Sequence, residues 1–236
     1  MLRSCLLLFA MLLCASSVAV ADDGWVDLFD GKTLEGWTMA EHGKAKYEVV
    51  DGTIHGVTVE GSPNSFLMSK QEFGDFELTF DVKVHDQLNS GVQIRSRGKT
   101  EADVEAEAAV TGTKPQGEGG LGRFHGPQVE IEVGPGFAGY VYGEATPYGW
   151  LSAEPKDGEK NKHDFFKRGE WNTYRIVAKG NQIQTWINDH AVADLKHDGI
   201  YKTHPKGHIG LQVHGVAGGS GPFDVAWRNI KIRELK

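Results

Sequence analysis

Apolar and polar residues alternate along most of the chain after residue 25, which is the pattern of β-strands with one buried face. In residues 75–84 (DFELTFDVKV) every second position, from Phe76 to Val84, is apolar and the positions between are polar. The same alternation predicts long strands over residues 90–97, 127–133, 171–179, 182–188, 208–214 and 223–232. Shorter strands are predicted over residues 47–50, 53–57, 65–69 and 139–142. We expect no amphipathic helix, because residues 101–110 have helical propensity but no wide apolar stripe.

So many half-apolar strands must pair their apolar faces with one another. The pattern therefore predicts an all-β fold, a two-sheet antiparallel sandwich of the jelly-roll type. The 31 glycines, against 8 prolines, fit the many tight turns that such a fold needs. Since there is no internal repeat and no linker, we expect one domain over residues 22–236.

Residues 1–21 have the pattern of a signal peptide. A basic start is followed by an apolar run over residues 6–13, and Ala19-Val20-Ala21 supplies the small residues of a cleavage site. We expect export to the periplasm or the medium and no permanent membrane anchor, because the apolar run is too short to span a bilayer. A lipoprotein anchored at Cys14 is the alternative, although Leu13 is bulkier than the residue usual before a lipid-modified cysteine. Cys5 is the other cysteine, so the mature chain has none and forms no disulfide.

The charge of the chain narrows the class of ligand. A formal net charge of −7 argues against nucleic acid and against an anionic membrane surface, since both require a cationic protein face. A neutral ligand such as a sugar remains compatible.

The polar positions of several strands carry residue types that suit a polyhydroxylated ligand. Each sugar hydroxyl both donates and accepts a hydrogen bond, and amides, carboxylates, arginine and histidine supply the matching groups. Aromatic rings cover the apolar face of a sugar ring. On these grounds the candidate ligand contacts are Asn89, Gln93, Arg95, Gln128, Glu130, Glu132, Tyr142, Trp150, Trp186, Gln212 and His214.

Two long segments, residues 98–126 and 143–169, are expected to form the walls of a groove, because loops of that length are usually functional or disordered. Trp150 lies on the second segment and is the better candidate for a sugar platform, whereas Trp37, Trp171 and Trp227 suit the core.

The sequence requires no cofactor. The glycine-rich stretch 117–126 has no βαβ context for a dinucleotide, and the ten histidines show no HxH or HExxH spacing. A divalent cation held by loop carbonyls and acids stays open, so the metal ligands are unknown.

Several motifs stand in an order that resembles the 3-keto-disaccharide hydrolase family over nearly all of residues 25–236. They are LFDGK (28–32), LEGW (34–37), NSGVQIR (89–95), QVEI (128–131), GEWN (169–172), GHIGLQVHG (207–215) and WRNIKI (227–232). The resemblance implies a concanavalin A-like fold and activity on glycosides whose 3-hydroxyl has been oxidised to a ketone. Many members carry a Gly-Tyr-Glu-x-Gln strand where this chain has Gly126-Pro127-Gln128-Val129-Glu130, so carboxylate and amide have exchanged places.

The chemistry that the resemblance implies begins with removal of the acidic C2 hydrogen beside the ketone. The C1 glycosidic oxygen then leaves with help from an acid, and water adds back, which gives net hydrolysis. Glu130 or His214 is expected as base or acid, with Arg95 or a divalent ion at the enolate oxygen.

Two other functions remain open on the same scaffold. One is a non-catalytic glycan-binding module, and the other is a conventional glycosidase that uses Glu130 and Glu132 as its two carboxylates.

Overall fold

The computed structural model describes residues 24–133, 136–152 and 163–236. The predicted signal peptide, with Cys5 and Cys14, lies outside the described residues. No helix in the described ranges is long and apolar enough to cross a membrane.

Fifteen strands make up most of the described chain. They are β1 (Val26–Asp27), β2 (Trp37–Met39), β3 (Lys46–Val50), β4 (Thr53–Val57), β5 (Ser65–Phe73), β6 (Phe76–Val84), β7 (Ser90–Gly98), β8 (Phe124–Ile131), β9 (Val141–Glu144), β10 (Gly149–Trp150), β11 (Asn172–Lys179), β12 (Gln182–Ile187), β13 (His190–Lys196), β14 (Gly207–Val213) and β15 (Asp224–Glu234).

The strands form two antiparallel sheets. One has seven strands in the order β10-β9-β8-β7-β14-β5-β2. The other has eight, in the order β13-β12-β11-β6-β15-β4-β3, with β1 paired to β15. The predicted two-sheet jelly-roll sandwich is therefore confirmed.

The main core fills the space between the two sheets. All five apolar positions of β6, from Phe76 to Val84, are buried in it, as the alternation predicts. Phe80 stacks on Tyr174 of β11 with ring centroids 5.3 Å apart. Burial of this continuous apolar layer is the main source of stability in a fold of this size.

A second, smaller cluster lies on the opposite face of the seven-stranded sheet. Leu67 belongs to the main core while its neighbour Phe66 packs with Ala40 and Phe124, and successive residues of a strand point to opposite faces. This outer face is thus partly filled by apolar side chains. The groove described below lies on the same face.

The structure adds two helices, α1 (Glu101–Thr111) and α2 (Asp198–Thr203). Residues 101–110, for which the sequence shows helical propensity but no apolar stripe, do form a helix, and it is not amphipathic. Thr100 and Asp103 form a capping box at the start of α1, and Gly112 ends the helix in a left-handed conformation. Only Val104 of this helix is buried, so its caps specify α1 and an apolar stripe does not.

Strand β13 was also not predicted. It is an edge strand with a largely exposed surface, and it follows β12 through Asn188 and Asp189, both at positive φ (48° and 66°). Two successive residues at positive φ are characteristic of a tight hairpin turn.

Candidate active site

A groove of about 350 Å³ opens on the outer face of the seven-stranded sheet. Its lining residues come from β8, β9, β10 and β14 and from the segments next to them and before β5 and β7: Asn64, Asn89, Gln128, Glu130, Glu132, Phe137, Tyr142, Glu144, Trp150, Gln212 and His214. Eight of the eleven candidate ligand contacts from the sequence lie here. The exceptions are Gln93, Arg95 and Trp186.

The strand register explains why these side chains meet. Gln128 and Glu130 are two apart on β8 and therefore share a face. Gly91 of β7 lies directly opposite Glu130, and the pairing of Val92 with Leu211 places Gln212 of β14 on the other side of Gly91. A Cβ at Gly91 would lie 2.6 Å from Cδ of Gln128, so only glycine leaves room for the Gln128 side chain.

A chain of amides leads to the carboxyl group of Glu130. Gln212 Nε2 donates to Gln128 Oε1 at 3.1 Å, and Gln128 Nε2 donates to Glu130 Oε1 at 2.9 Å. Asn89 also hydrogen-bonds the Glu130 side chain. From the other sheet, the Tyr174 hydroxyl donates to the backbone carbonyl of Glu130 at 3.3 Å, which ties this position to the core.

Glu130 is poorly hydrated, with only 7% of its surface exposed. This burial raises the pKa of Glu130 from 4.5 to about 7, since water no longer stabilises the charged form. The hydrogen bonds from Gln128 and Asn89 oppose the rise, while the charges of Glu144 and Glu132 add to it. A carboxyl group with such a pKa can both release and accept a proton near neutral pH.

His214 lines the groove, and its Nδ1 is hydrogen-bonded within the protein. Its Nδ1 lies 2.7 Å from the carbonyl oxygen of Gly215, which can only accept, so Nδ1 carries the proton. In the neutral ring Nε2 is then the acceptor, as a general base requires. The amide of Gly215 donates in turn to Asn64 Oδ1 at 2.8 Å.

One end of the groove is closed by polar side chains that the sequence analysis missed. Asn64 Nδ2 donates to Glu144 Oε1 at 3.3 Å, and the same oxygen accepts from Arg123, which also reaches the Asn64 carbonyl. Glu144 stands two residues after Tyr142 on β9, so continuing that strand's alternation would have found it. Asn64 lies just before β5, where the sequence gives no comparable signal.

The two long segments, 98–126 and 143–169, contribute to the groove in different ways. Glu144 and Trp150 come from the second segment, whose residues 153–162 lie outside the described ranges. The first segment forms α1 and supplies Arg123 behind Glu144.

Aromatic rings form one side of the groove. Trp150 stacks on Phe137 with centroids 5.1 Å apart and meets Tyr142 edge-on at 5.2 Å. Burial raises the pKa of the Tyr142 hydroxyl, as do the charges of Glu144 and Glu130, which keeps that hydroxyl protonated and able to donate.

The structure corrects the expectation that Arg95 faces the ligand beside Glu130. A bulge in β7 between Gln93 and Arg97, with Arg95 at φ 50°, breaks the alternation there. The guanidinium donates to the carbonyls of Gly74 and Gly180 at 2.7 and 2.8 Å and to Asp75 at 2.8 Å, away from the groove. Each of the three guanidinium nitrogens of Arg95 therefore donates a hydrogen bond within the fold, which is a structural role.

Gln93 and Trp186 are corrected as well. Gln93 lies on the face of Gln128 but is completely buried, and neither of its amide atoms has a hydrogen-bond partner among the described residues. Trp186 is on the outer face of the eight-stranded sheet, where the Arg175 guanidinium lies 4.2 Å from its ring centroid.

Among residues 24–133, 136–152 and 163–236 no group of three or more histidines and acids is placed to hold a metal ion.

Several solved structures share this fold. One from Parabacteroides distasonis, whose name assigns it to the glycosyl hydrolases, is 19% identical with a TM-score of 0.58, covering 90% of this chain and 94% of its own. A carbohydrate-binding module from Bacillus subtilis is 14% identical with a TM-score of 0.52, covering 84% and 95%. A galectin-like protein of unknown function from the same organism is 14% identical with a TM-score of 0.54, covering 85% and 90%. At these identities the likeness shows the fold alone.

No curated protein matches the chain in sequence. A family model does match it, over residues 24–233. That range includes every strand from β1 to β14 and all but the last residue of β15. The chain therefore belongs to the family of 3-keto-alpha-glucoside-1,2-lyase-like domains.

Proposed function

We propose that this protein cleaves 3-keto-glycosides by elimination followed by hydration. The observation that carries the proposal is the pairing, in one groove, of a buried carboxyl with a pKa of about 7 and a histidine whose Nε2 is an acceptor. Family membership supports the substrate class. The wall of aromatic rings beside them suits a sugar ring.

The elimination step uses the two groups in different roles. The C3 ketone acidifies the hydrogen on C2, and His214 Nε2 takes that proton, so the C2–H bonding electrons form the enolate. The enolate then collapses to restore the ketone and form a C1=C2 double bond while the C1–O bond breaks. The protonated Glu130 gives its proton to the leaving oxygen.

Hydration returns both groups to their starting states. The Glu130 carboxylate accepts a proton from water as the water oxygen adds to C1 of the unsaturated ketone. The imidazolium of His214 gives its proton back to C2. The sum is hydrolysis of the glycosidic bond, and no electrons are gained or lost overall.

The enolate oxygen needs a donor or a cation close to it. Because Arg95 is held elsewhere, we assign this role to two donors that line the groove, the Asn89 amide and the protonated Tyr142 hydroxyl. A divalent cation beside the groove carboxylates is the alternative that we retain from the sequence.

The test is to compare a 3-keto-glucoside with its unoxidised parent on purified protein. We expect turnover of the keto sugar alone, because only the ketone makes the C2 hydrogen acidic. Equal turnover of both sugars would instead support a conventional two-carboxylate glycosidase using Glu130 and Glu132.

A second candidate is a glycan-binding module without catalysis. The aromatic wall favours it, since such rings bind sugars without any chemistry. Saturable binding of the keto sugar with no product in prolonged incubation would support this function over the first.

Export completes the proposed function. The apolar run and the Ala19-Val20-Ala21 sequence suit cleavage after Ala21 and release to the periplasm or the medium. Mass spectrometry of the secreted protein should find a chain starting at Asp22, and a lipid on Cys14 or an intact Met1 start would contradict it.

A further inference from the structure

Gln128 was expected to contact the sugar, but both its amide nitrogen and its amide oxygen are hydrogen-bonded within the protein. It is 2% exposed, its oxygen accepts from Gln212 and its nitrogen donates to Glu130. Gln212 is itself completely buried. The space that Gln128 occupies exists only because residue 91 is glycine.

We propose that Gln128 is a positioning residue for Glu130: the Gln212–Gln128 pair presents an N–H to Glu130 Oε1, which disfavours a proton on that oxygen. This inference rests on the proposed function, because it deepens the role of Glu130 as the acid.

The geometry of two linked amides gives the pair a fixed direction. If Gln128 alone turned over, its NH₂ group would face the NH₂ group of Gln212 and its carbonyl would face the carboxyl group. Reversal therefore requires two buried side chains to rotate together. While the direction holds, Oε1 receives a hydrogen bond from Gln128, and a proton on that same oxygen would compete with it.

The same contact limits how far burial can raise the pKa of Glu130. A donor to a carboxylate stabilises the charged form, and the hydrogen bond from Gln128 acts in that direction. Without it, Glu130 would stay protonated at higher pH. It would then be slow to act as the base that activates water in the second half of the reaction.

Gln93 offers a matched control on the same sheet face. It lies opposite Gln128 in the β7–β8 pairing, is the same residue type and is equally buried. It does not line the groove, and its amide has no hydrogen-bond partner in the described part of the chain. Gln93→Met therefore removes a buried amide without touching Glu130.

The experiment measures the Glu130 carboxyl pKa by ¹³C NMR titration, together with the pH profile of kcat on a 3-keto-glucoside. We expect Gln128→Met to raise the carboxyl pKa by about one pH unit, since a hydrogen bond to a charged group is lost. The alkaline limb of the kcat profile should move by the same amount. Gln93→Met should leave both unchanged.

Gly91→Ala tests position without changing any polar group. Its Cβ would lie 2.6 Å from Cδ and 2.9 Å from Nε2 of Gln128, so the amide must leave the position from which it donates to Glu130. The pKa should therefore rise in the same direction even if Gln128→Met folds poorly. An unchanged carboxyl pKa in both Gly91→Ala and Gln128→Met would overturn the positioning role, whatever the activity.

A raised pKa in a protein that never turns over the keto sugar would uphold the Gln128 contact but overturn the proposed function. A profile that moves with Gln93→Met as well would overturn the inference, because burial in general would then set the pKa.

Discussion

At the scale of single residues, Glu130 shows how burial converts an ordinary acid into a group that titrates near neutral pH. Its environment supplies two hydrogen bonds, from Gln128 and Asn89, and these do not offset the loss of hydration. The sequence placed Glu130 on a polar strand face, but alternation alone cannot tell an exposed carboxylate from a nearly buried one. That difference depends on the side chains that surround the carboxyl group in the folded groove, which alternation does not show.

The raised pKa of Glu130 predicts a stability difference that depends on pH. In the unfolded chain the carboxyl loses its proton above about pH 4.5, whereas in the folded protein it keeps the proton until about pH 7. Ionisation therefore favours the unfolded state over this window, by up to about 3 kcal/mol. Glu130→Gln has no carboxyl group to ionise at this position. The melting temperature of the variant minus that of the wild type should therefore increase between pH 4.5 and 7 and stay constant above pH 7.

Differential scanning calorimetry of both proteins from pH 4 to 8 measures this difference. A gap in melting temperature that stays constant across the whole range would show that Glu130 titrates normally.

At the scale of elements, the strands and their faces were predictable because the apolar alternation is strict in β6 and burial alternates along β11 and β12. What alternation cannot show is a bulge. One extra residue in β7 turns Arg95 away from the face of Glu130, toward Gly74 and Gly180 in the turns that join β5 to β6 and β11 to β12. Edge elements such as β10 and β13 are missed for a related reason, since an exposed short strand needs no apolar face.

The bulge predicts that Arg95 contributes to stability and not to catalysis. Arg95→Met would remove three hydrogen bonds and leave Asp75 without its ion-pair partner, so we expect a loss of about 2–4 kcal/mol in unfolding free energy. The kcat of the folded protein should stay within twofold of wild type.

Urea denaturation and steady-state kinetics of the same preparation check both parts. Arg168→Met is the control, because the ion pair of Arg168 with Asp86 is exposed and its N···O distance is long, at 3.7 Å. Removing it should lower the free energy of unfolding by less than about 0.5 kcal/mol. A kcat that falls a hundredfold in Arg95→Met at full folding would restore the catalytic role expected from the sequence.

Two edge-region tryptophans, both expected from the sequence to bind sugar, now have different predicted roles. Trp150 of β10 lines the groove, whereas Trp186 of β12 stacks under Arg175 on the other sheet. Loss of the aromatic platform in Trp150→Ala should raise KM about 3- to 10-fold with kcat nearly unchanged. Trp186→Ala should alter neither constant, and equal effects of the two changes would contradict this assignment.

At the scale of the whole molecule, the sandwich divides its surfaces between different tasks. One sheet carries the groove with Glu130, Glu132 and Glu144, and the other presents arginines paired with acids, such as Arg175 with Glu77. The sequence could predict the architecture and most of the groove, because both follow from alternation and strand order. It could not predict Asn64 or Arg123, since side chains that close the groove from loops depend on the final packing.

The most direct test of the central claim is the kcat of Glu130→Gln on a 3-keto-glucoside, measured beside Glu132→Gln, His214→Ala and wild type. A group that transfers a proton is worth on the order of 10²–10⁴-fold in rate, so Glu130→Gln should lose that much while its melting temperature at neutral pH does not fall. His214→Ala should be similarly impaired, and Glu132→Gln should keep most of its activity. Activity of Glu130→Gln within about threefold of wild type would contradict the assignment of Glu130 as the proton-transferring carboxyl.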